Sequence, residues 1–202
     1  MNLLHQKLSK YHLILASASP RRISLLNELN LTFDCCPLDV DEVFPSHLEG
    51  HEVARFLARL KADSFPAEKL SNNSILITAD TIVCLNDEVL GKPNDRDEAI
   101  KMLHNLSGRM HKVITGVCLR SLEKEHVFSN ETDVYFCKLR EDEIIYYVDR
   151  FLPFDKAGAY GIQEWIGYIG IEKIEGSYFN VMGLPVQQLY RELEEFILDD
   201  HI

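Results

Sequence analysis

Leu13-Ile14-Leu15-Ala16-Ser17-Ala18-Ser19-Pro20-Arg21-Arg22-Ile23 is the stretch on which the fold turns. Residues 13–16 are a short apolar run after a polar leader, the pattern of a buried strand. The run stops at Ser17-Ala18-Ser19-Pro20. Beyond it Ile23, Leu26 and Asn30 share one row, with Leu25 and Leu29 on the next, which is a helical period. Ser19 is a good N-cap, and Pro20 suits the first helical position, where an amide N–H would have no intrahelical partner. The unit is strand, tight loop, helix.

The rest of the chain extends this alternation. Residues 39–45 are acidic and loop-like, and Val53, Phe56, Leu57 and Leu60 then repeat at helical spacing, with Lys61 at the end of that helix. Residues 74–85 read as a strand, and Asn86-Asp87 turns the chain into Glu88-Val89-Leu90. Asp95 and Glu98 resemble a capping box ahead of a helical face made by Ala99, Met102, Leu103 and Leu106. Strands are expected at 112–119 and 131–136 around a charged turn at Glu123-Lys124-Glu125, then a helix at 141–151. Residues 158–176 are glycine-punctuated with short strand candidates, 176–185 read as a strand and tight turn, and 184–198 as an amphipathic helix. Helices alternate with strands first and hairpins dominate the middle, so the expected class is α/β with a mixed, twisted sheet and flanking helices.

Composition narrows the function. A length of 202 residues fits one domain, or two lobes sharing a core. The formal net charge of −11 argues against a nucleic-acid binder, which needs a basic face, but leaves room for a small anion where cations converge. No apolar run is long enough for a membrane span, and residues 1–10 lack a signal-peptide core, so a cytoplasmic location is expected. The five cysteines form no C-x-x-C pair, and an odd count suits reduced thiols. His47 and His51 belong to no metal-ligand pattern, and neither a G-x-x-x-x-G-K-[ST] loop nor a G-x-G-x-x-G fingerprint occurs.

Five segments could carry chemistry. Ser17-x-Ser19-Pro20-Arg21-Arg22 sets two hydroxyls and two guanidinium groups at a helix N-terminus, which attracts phosphate. The alternative is a capped helix with two solvated arginines, but cations in a first turn are unfavourable unless an anion visits. Thr78-Ala79-Asp80-Thr81 closes an apolar strand with a carboxylate able to hold a cation or take a proton from water, or merely to cap a turn. Asp41 and Glu42 add further carboxylates. In Gly91-Lys92-Pro93, Pro93 keeps Lys92 extended and Gly91 permits a tight approach, which would aim an ammonium into a cleft; the alternative is a surface loop lysine. Asp155-Lys156-Ala157-Gly158-Ala159-Tyr160-Gly161-Ile162-Gln163 supplies small residues, a cation and an amide that can accept from a pyrimidine N3–H. For Gly176-Ser177-Tyr178-Phe179-Asn180-Val181-Met182-Gly183-Leu184-Pro185 a structural turn role is preferred.

In this order, over residues 13–193, the blocks resemble the Maf family of nucleotide pyrophosphatases: S-x-S-P-R-R at 17–22, the acidic pair Asp41-Glu42, T-A-D-T-I-V at 78–83, Gly91-Lys92-Pro93, Leu106-Ser107-Gly108, and the 155–163 and 176–185 blocks. The resemblance implies an inosine triphosphate pyrophosphatase-like fold with a cleft between two lobes. It implies a single Maf-like domain over 1–202, with a leader strand or arm at 1–12 and a catalytic α/β core at 13–198. It implies cleavage of a nucleoside triphosphate between its α and β phosphates, with Mg²⁺ or Mn²⁺, by a homodimer; from the net charge and the lack of a long apolar run, neither nucleic acid nor membrane is expected as a partner. By position, Asp80 matches the family's proton acceptor, and Glu42, with Asp80, a metal carboxylate. Ser17, Lys61 and Lys92 match the phosphate cleft, and Arg21, Thr81 and Gln163 match positions that govern substrate choice; Arg21 and Arg22 are expected to hold the triphosphate together with Lys61 and Lys92. The 155–163 block resembles the subfamily acting on dTTP and UTP. The alternatives are a 7-methyl-GTP or purine house-cleaning enzyme, or a nucleotide-binding regulator of cell division. Two positions depart from the family pattern: Leu60 stands where an acidic residue is common, and Glu164-Trp165 replaces a small, glycine-rich pair.

Overall fold

The structure is a computed structural model that describes residues 3–198. In chain order the elements are α1 (Leu4–Lys7), β1 (His12–Leu15), α2 (Pro20–Glu28), β2 (Phe33–Cys35), α3 (His51–Asp63), β3 (Ser74–Leu85), β4 (Glu88–Leu90), α4 (Arg96–Leu106) and β5 (Met110–Arg120). Then follow β6 (Glu125–Phe136), α5 (Glu141–Phe151), α6 (Trp165–Gly170), β7 (Ile171–Glu175), α7 (Tyr178–Met182) and α8 (Val186–Leu198). The sheet runs β2-β1-β3-β5-β6-β7, with β4 beside β3. It is mixed, as expected: β1 pairs in parallel with β2 and β3, whereas β3–β4 and β6–β7 are antiparallel.

The described chain divides into two compact units, one of residues 3–80, 115–130 and 183–198, the other of residues 81–114 and 131–182, so β3, β5 and β6 each contribute to both. In the first unit Ile14 and Ala16 next to β1's end, Leu76 of β3 and Cys118 of β5 pack with Ala58, Ala62 and Phe65 from α3 and its exit. In the second, Val83, Leu103, Val113, Phe136, Ile144, Tyr147 and Ile166 form one core under α4 and α5.

Two contacts seat α3 in the first unit. Gly116 of β5 faces the backbone of Ala54, so closely that an added Cβ would lie 2.7 Å from the Arg55 nitrogen and closer still to the Ala54 carbonyl. Only glycine lets helix and strand approach this far. Thr78 Oγ1 then donates to the Ala58 carbonyl at 2.7 Å. Side chains two apart on a strand share a face, and residues three or four apart on a helix share a row. Asp80 and Lys61 are therefore brought opposite one another by the Thr78–Ala58 contact.

Several elements differ from the sequence expectation. The leader is helical through Leu4–Lys7 and a 3₁₀ turn at Leu8–Lys10 rather than a strand or arm, because Leu4 and Leu8 bury on one side while Lys7 pairs with Glu194 of α8 at 3.1 Å. Residues 1, 2 and 199–202 of the expected domain lie outside the described residues. β6 begins at Glu125, six residues before the expected start: the polar Glu125 is satisfied there by Arg59 and Arg120. Residues 178–182 form a helix, not a strand, with Ser177 Oγ accepting from the Asn180 N–H at 3.3 Å.

Candidate active site

The loop and N-terminus of α2 form as their residues require. Ser19 is the N-cap and Pro20 opens the helix; Ser19 Oγ accepts the Arg22 N–H at 3.5 Å, and the buried Ser17 Oγ accepts the Ser19 N–H at 3.2 Å. The first turn holds no acidic residue. Arg22 is not a solvated arginine: it is partly buried, and its Nε donates to the Gly183 carbonyl at 2.8 Å. Burial pulls the guanidinium's pKa down, and the nearby Asp80 charge pushes it back up. Arg21 adds a second positive charge beside it.

Asp80 is 5% exposed and lies inside β3 rather than at a strand end, since the strand runs on to Leu85. Lys61, in the last turn of α3 where the helix dipole favours a cation, donates to Asp80 Oδ1 in a very short contact and to Glu42 Oε1 at 2.8 Å. The first unit thus brings Glu42, Lys61, Asp80 and Arg22 into one electrostatic group. Burial raises the Asp80 carboxyl above the usual carboxylate range, and Glu42 adds to the rise; Lys61 and Arg22 oppose it. Asp41, the other half of the acidic pair, is exposed on the loop and contributes its backbone carbonyl to Val43.

The remaining expected residues belong to the second unit. Thr81 follows Asp80 on the strand, so its side chain takes the opposite face. Lys92 is exposed after Gly91, whose carbonyl accepts the Gly158 N–H at 3.1 Å. Gly158 has φ +69° and packs against Val83, so a side chain there would be both strained and crowded. This ties the Gly91-Lys92-Pro93 loop to the 155–163 block. Gln163 sits in a turn closed by the Glu164 N–H on the Gly161 carbonyl at 3.0 Å, and its Oε1 is buried with no hydrogen-bond partner among the described residues.

Sequence reasoning missed what holds that turn. The buried Tyr147 hydroxyl donates to Glu164 and accepts the Gly161 N–H at 3.0 Å, while Lys156 reaches Glu164 at 3.2 Å and Asp155 at 2.7 Å. Lys156 is therefore a buried structural cation rather than an open ligand. The one signal available was Glu164, the departure from the family pattern. Trp165 packs edge-on against Tyr146, with ring centroids 4.9 Å apart. The 176–185 block plays its expected structural part: Asn180 Nδ2 donates to the Val113 carbonyl and to Thr132 Oγ1, both at 3.0 Å.

No group of three or more His, Cys, Asp or Glu side chains that could hold a metal occurs among the described residues. His51 Nδ1 is engaged with Ser129 Oγ at 2.9 Å. An all-protein metal cage does not fit. Glu42 and Asp80, close enough to share one ammonium, do fit a hard cation of the Mg²⁺ type, which takes one or two carboxylates and fills its shell with water and phosphate oxygens. Cys84 and Cys118 are buried and their thiols are pushed up to about 11 and about 12, so neither is a nucleophile.

The chain is similar to known proteins over most of its length. A family model described as Maf-like protein matches residues 12–196. The dTTP/UTP pyrophosphatase of Parabacteroides distasonis is 50% identical over 192 residues, covering 95% of this chain and 99% of the relative. That of Bacteroides fragilis is 52% identical over 189 residues, 93% of this chain and 97% of the relative. Among solved structures, the Ham1 protein of Staphylococcus aureus superposes with a TM-score of 0.53 at 17% identity, over 92% of this chain and 99% of that one, which shows a shared fold.

Proposed function

The chain belongs to the Maf family, and on that premise we propose that it hydrolyses dTTP and UTP, and modified pyrimidine nucleotides of the same type, to the monophosphate and pyrophosphate. The observation that carries the reading is the group in the first unit: a buried carboxylate, Asp80, with a second carboxylate, Glu42, and two cations, Lys61 and Arg22. Anhydride hydrolysis needs a proton acceptor for water and positive charge for the phosphates, and this group supplies both.

Arg21, Arg22, Lys61 and Lys92 are assigned to the triphosphate, with Ser17 shaping the loop beside them. Asp80 orients the attacking water and takes its proton as oxygen bonds to the α-phosphorus; burial raises the proton affinity of its carboxylate, which strengthens it as a base. The anhydride bond breaks toward the β-phosphate, and the cations neutralise the charge that gathers on the departing pyrophosphate. Glu42 and Asp80 would hold the Mg²⁺ or Mn²⁺, which when bound supplies further charge neutralisation at the phosphate oxygens. Thr81 and Gln163 are assigned to choice of substrate: a Gln amide oxygen accepts the N3–H of uracil and thymine and meets no donor at N3 of cytosine.

The same reading takes residues 1–202 as one Maf-like domain, acting in the cytoplasm as a homodimer that binds neither nucleic acid nor membrane. No described helix is long and apolar enough to cross a membrane. The test is pyrophosphate release from dTTP, UTP, CTP, ITP and 7-methyl-GTP with Mg²⁺ or Mn²⁺. Turnover led by dTTP and UTP is expected. Turnover of the purines alone would replace the pyrimidine reading, and nucleotide binding without release would make the chain a sensor.

A further inference from the structure

Lys61 stands where a cation would stand. Its ammonium donates to one oxygen of Glu42 and one of Asp80, and the three side chains are 14%, 34% and 7% exposed. An ammonium shared by two carboxylates in a partly buried setting occupies the position that a small divalent ion would take between the same oxygens. Two positive centres a few ångströms apart with little water between them repel strongly, so ammonium and divalent ion exclude one another there.

Lys61 is also not free to leave by itself. Withdrawing it would strand the buried Asp80 carboxylate beside the like charge of Glu42, and removing one partner of a buried ion pair is strongly unfavourable. The ammonium needs a new anion as much as the carboxylates need a new cation. A triphosphate provides the anion, and its accompanying divalent ion provides the cation.

We infer that Lys61 is the resting occupant of the cation position, and that it moves onto the phosphates as metal and nucleotide enter together. This rests on the pyrophosphatase reading and adds an order of binding to it. The protein binds divalent ions weakly until nucleotide draws Lys61 away, and by linkage the ion strengthens nucleotide binding by the same factor.

The experiment measures Mn²⁺ binding to the full chain by electron paramagnetic resonance, without nucleotide and with α,β-imido-dUTP, which cannot be cleaved between its first two phosphates. In the wild type, nucleotide should tighten Mn²⁺ binding at least about tenfold. Lys61→Met, close to lysine in volume, should bind Mn²⁺ without nucleotide at least about tenfold more tightly than wild type, and Lys61→Gln should behave alike. Adding Glu42→Gln to Lys61→Met should cancel the gain. Melting curves confirm that each variant is folded, and either lysine variant suffices for the comparison. Unchanged or weaker nucleotide-free Mn²⁺ binding in the folded lysine variant overturns the inference while leaving the pyrophosphatase reading intact. Failure of the wild type to bind Mn²⁺ even with nucleotide, together with no pyrophosphate release from dTTP or UTP, overturns both.

Discussion

Replacing Gly116 by alanine should push α3 off β5 and disable the site that α3 helps to build. An alanine Cβ would sit 2.7 Å from the Arg55 nitrogen and nearer still to the Ala54 carbonyl, and both are backbone, so no side chain can swing aside. Relief needs a displacement of roughly 1 Å, and forcing atoms into a packed core costs about 1–3 kcal/mol, with backbone clashes at the upper end. For a protein of this size, about 3 kcal/mol lowers Tm by about 6–12 °C. Lys61 lies two turns further along the same helix, so the shift reaches its 2.8 Å contact with Glu42 and its contact with Asp80. Misplacement of a catalytic group by about 1 Å costs up to about a hundredfold in rate. Differential scanning calorimetry and the kcat for dTTP measure the two effects separately. A Tm within about 2 °C of wild type would refute the close-approach reasoning. A lower Tm with unchanged kcat would refute the claim that the seat of α3 positions Lys61.

Three further outcomes follow from the same contacts. Asp80→Asn should lower kcat at least about a hundredfold if Asp80 takes the proton, and near-normal turnover at saturating Mg²⁺ would remove that role. Thr78→Val deletes the hydroxyl that donates to the Ala58 carbonyl; it should cost about 1 kcal/mol in urea unfolding and reduce kcat by more than that loss of stability explains, since it loosens the register of Asp80 against Lys61. His111 is buried against Phe136 and Tyr160, and burial lowers its pKa from 6.5 to about 4. Above pH 6.5 both folded and unfolded states keep it neutral. Between 6.5 and 4 the unfolded chain takes a proton that the folded one refuses, so stability should fall by about 3 kcal/mol as pH drops through that window. His111→Gln should flatten this part of the unfolding-versus-pH curve; an unchanged slope would show that other groups dominate it.

The legible parts of the chain were those fixed by local chemistry. Ser19, Pro20 and the apolar rows of α2 define that helix start without help from elsewhere, and the long apolar run of β3 admits only a buried strand. The side chains that gather around Lys61 were also conspicuous in the sequence as types, because carboxylates, arginines and lysines beside glycine and proline stand out in an acidic chain. What stayed hidden depends on partners distant in sequence. β2 is three residues long and partly exposed, and it exists because β1 offers it an edge. Glu125 reads as a turn residue until Arg59 and Arg120 are seen beside it. Arg22 meets Gly183, 161 positions away, and Lys156 meets Glu164 in a buried pair that no spacing rule announces. The meeting of Lys61 with both Glu42 and Asp80 is likewise a product of the Gly116 and Thr78 contacts, not of any local motif.

The claim that water, activated at Asp80, attacks the α-phosphorus is tested most directly by turnover of dTTP in ¹⁸O-labelled water, with both products weighed by mass spectrometry. The account places one labelled oxygen in the thymidine monophosphate and none in the pyrophosphate. Label in the pyrophosphate, or release of single phosphate ions instead, would contradict it.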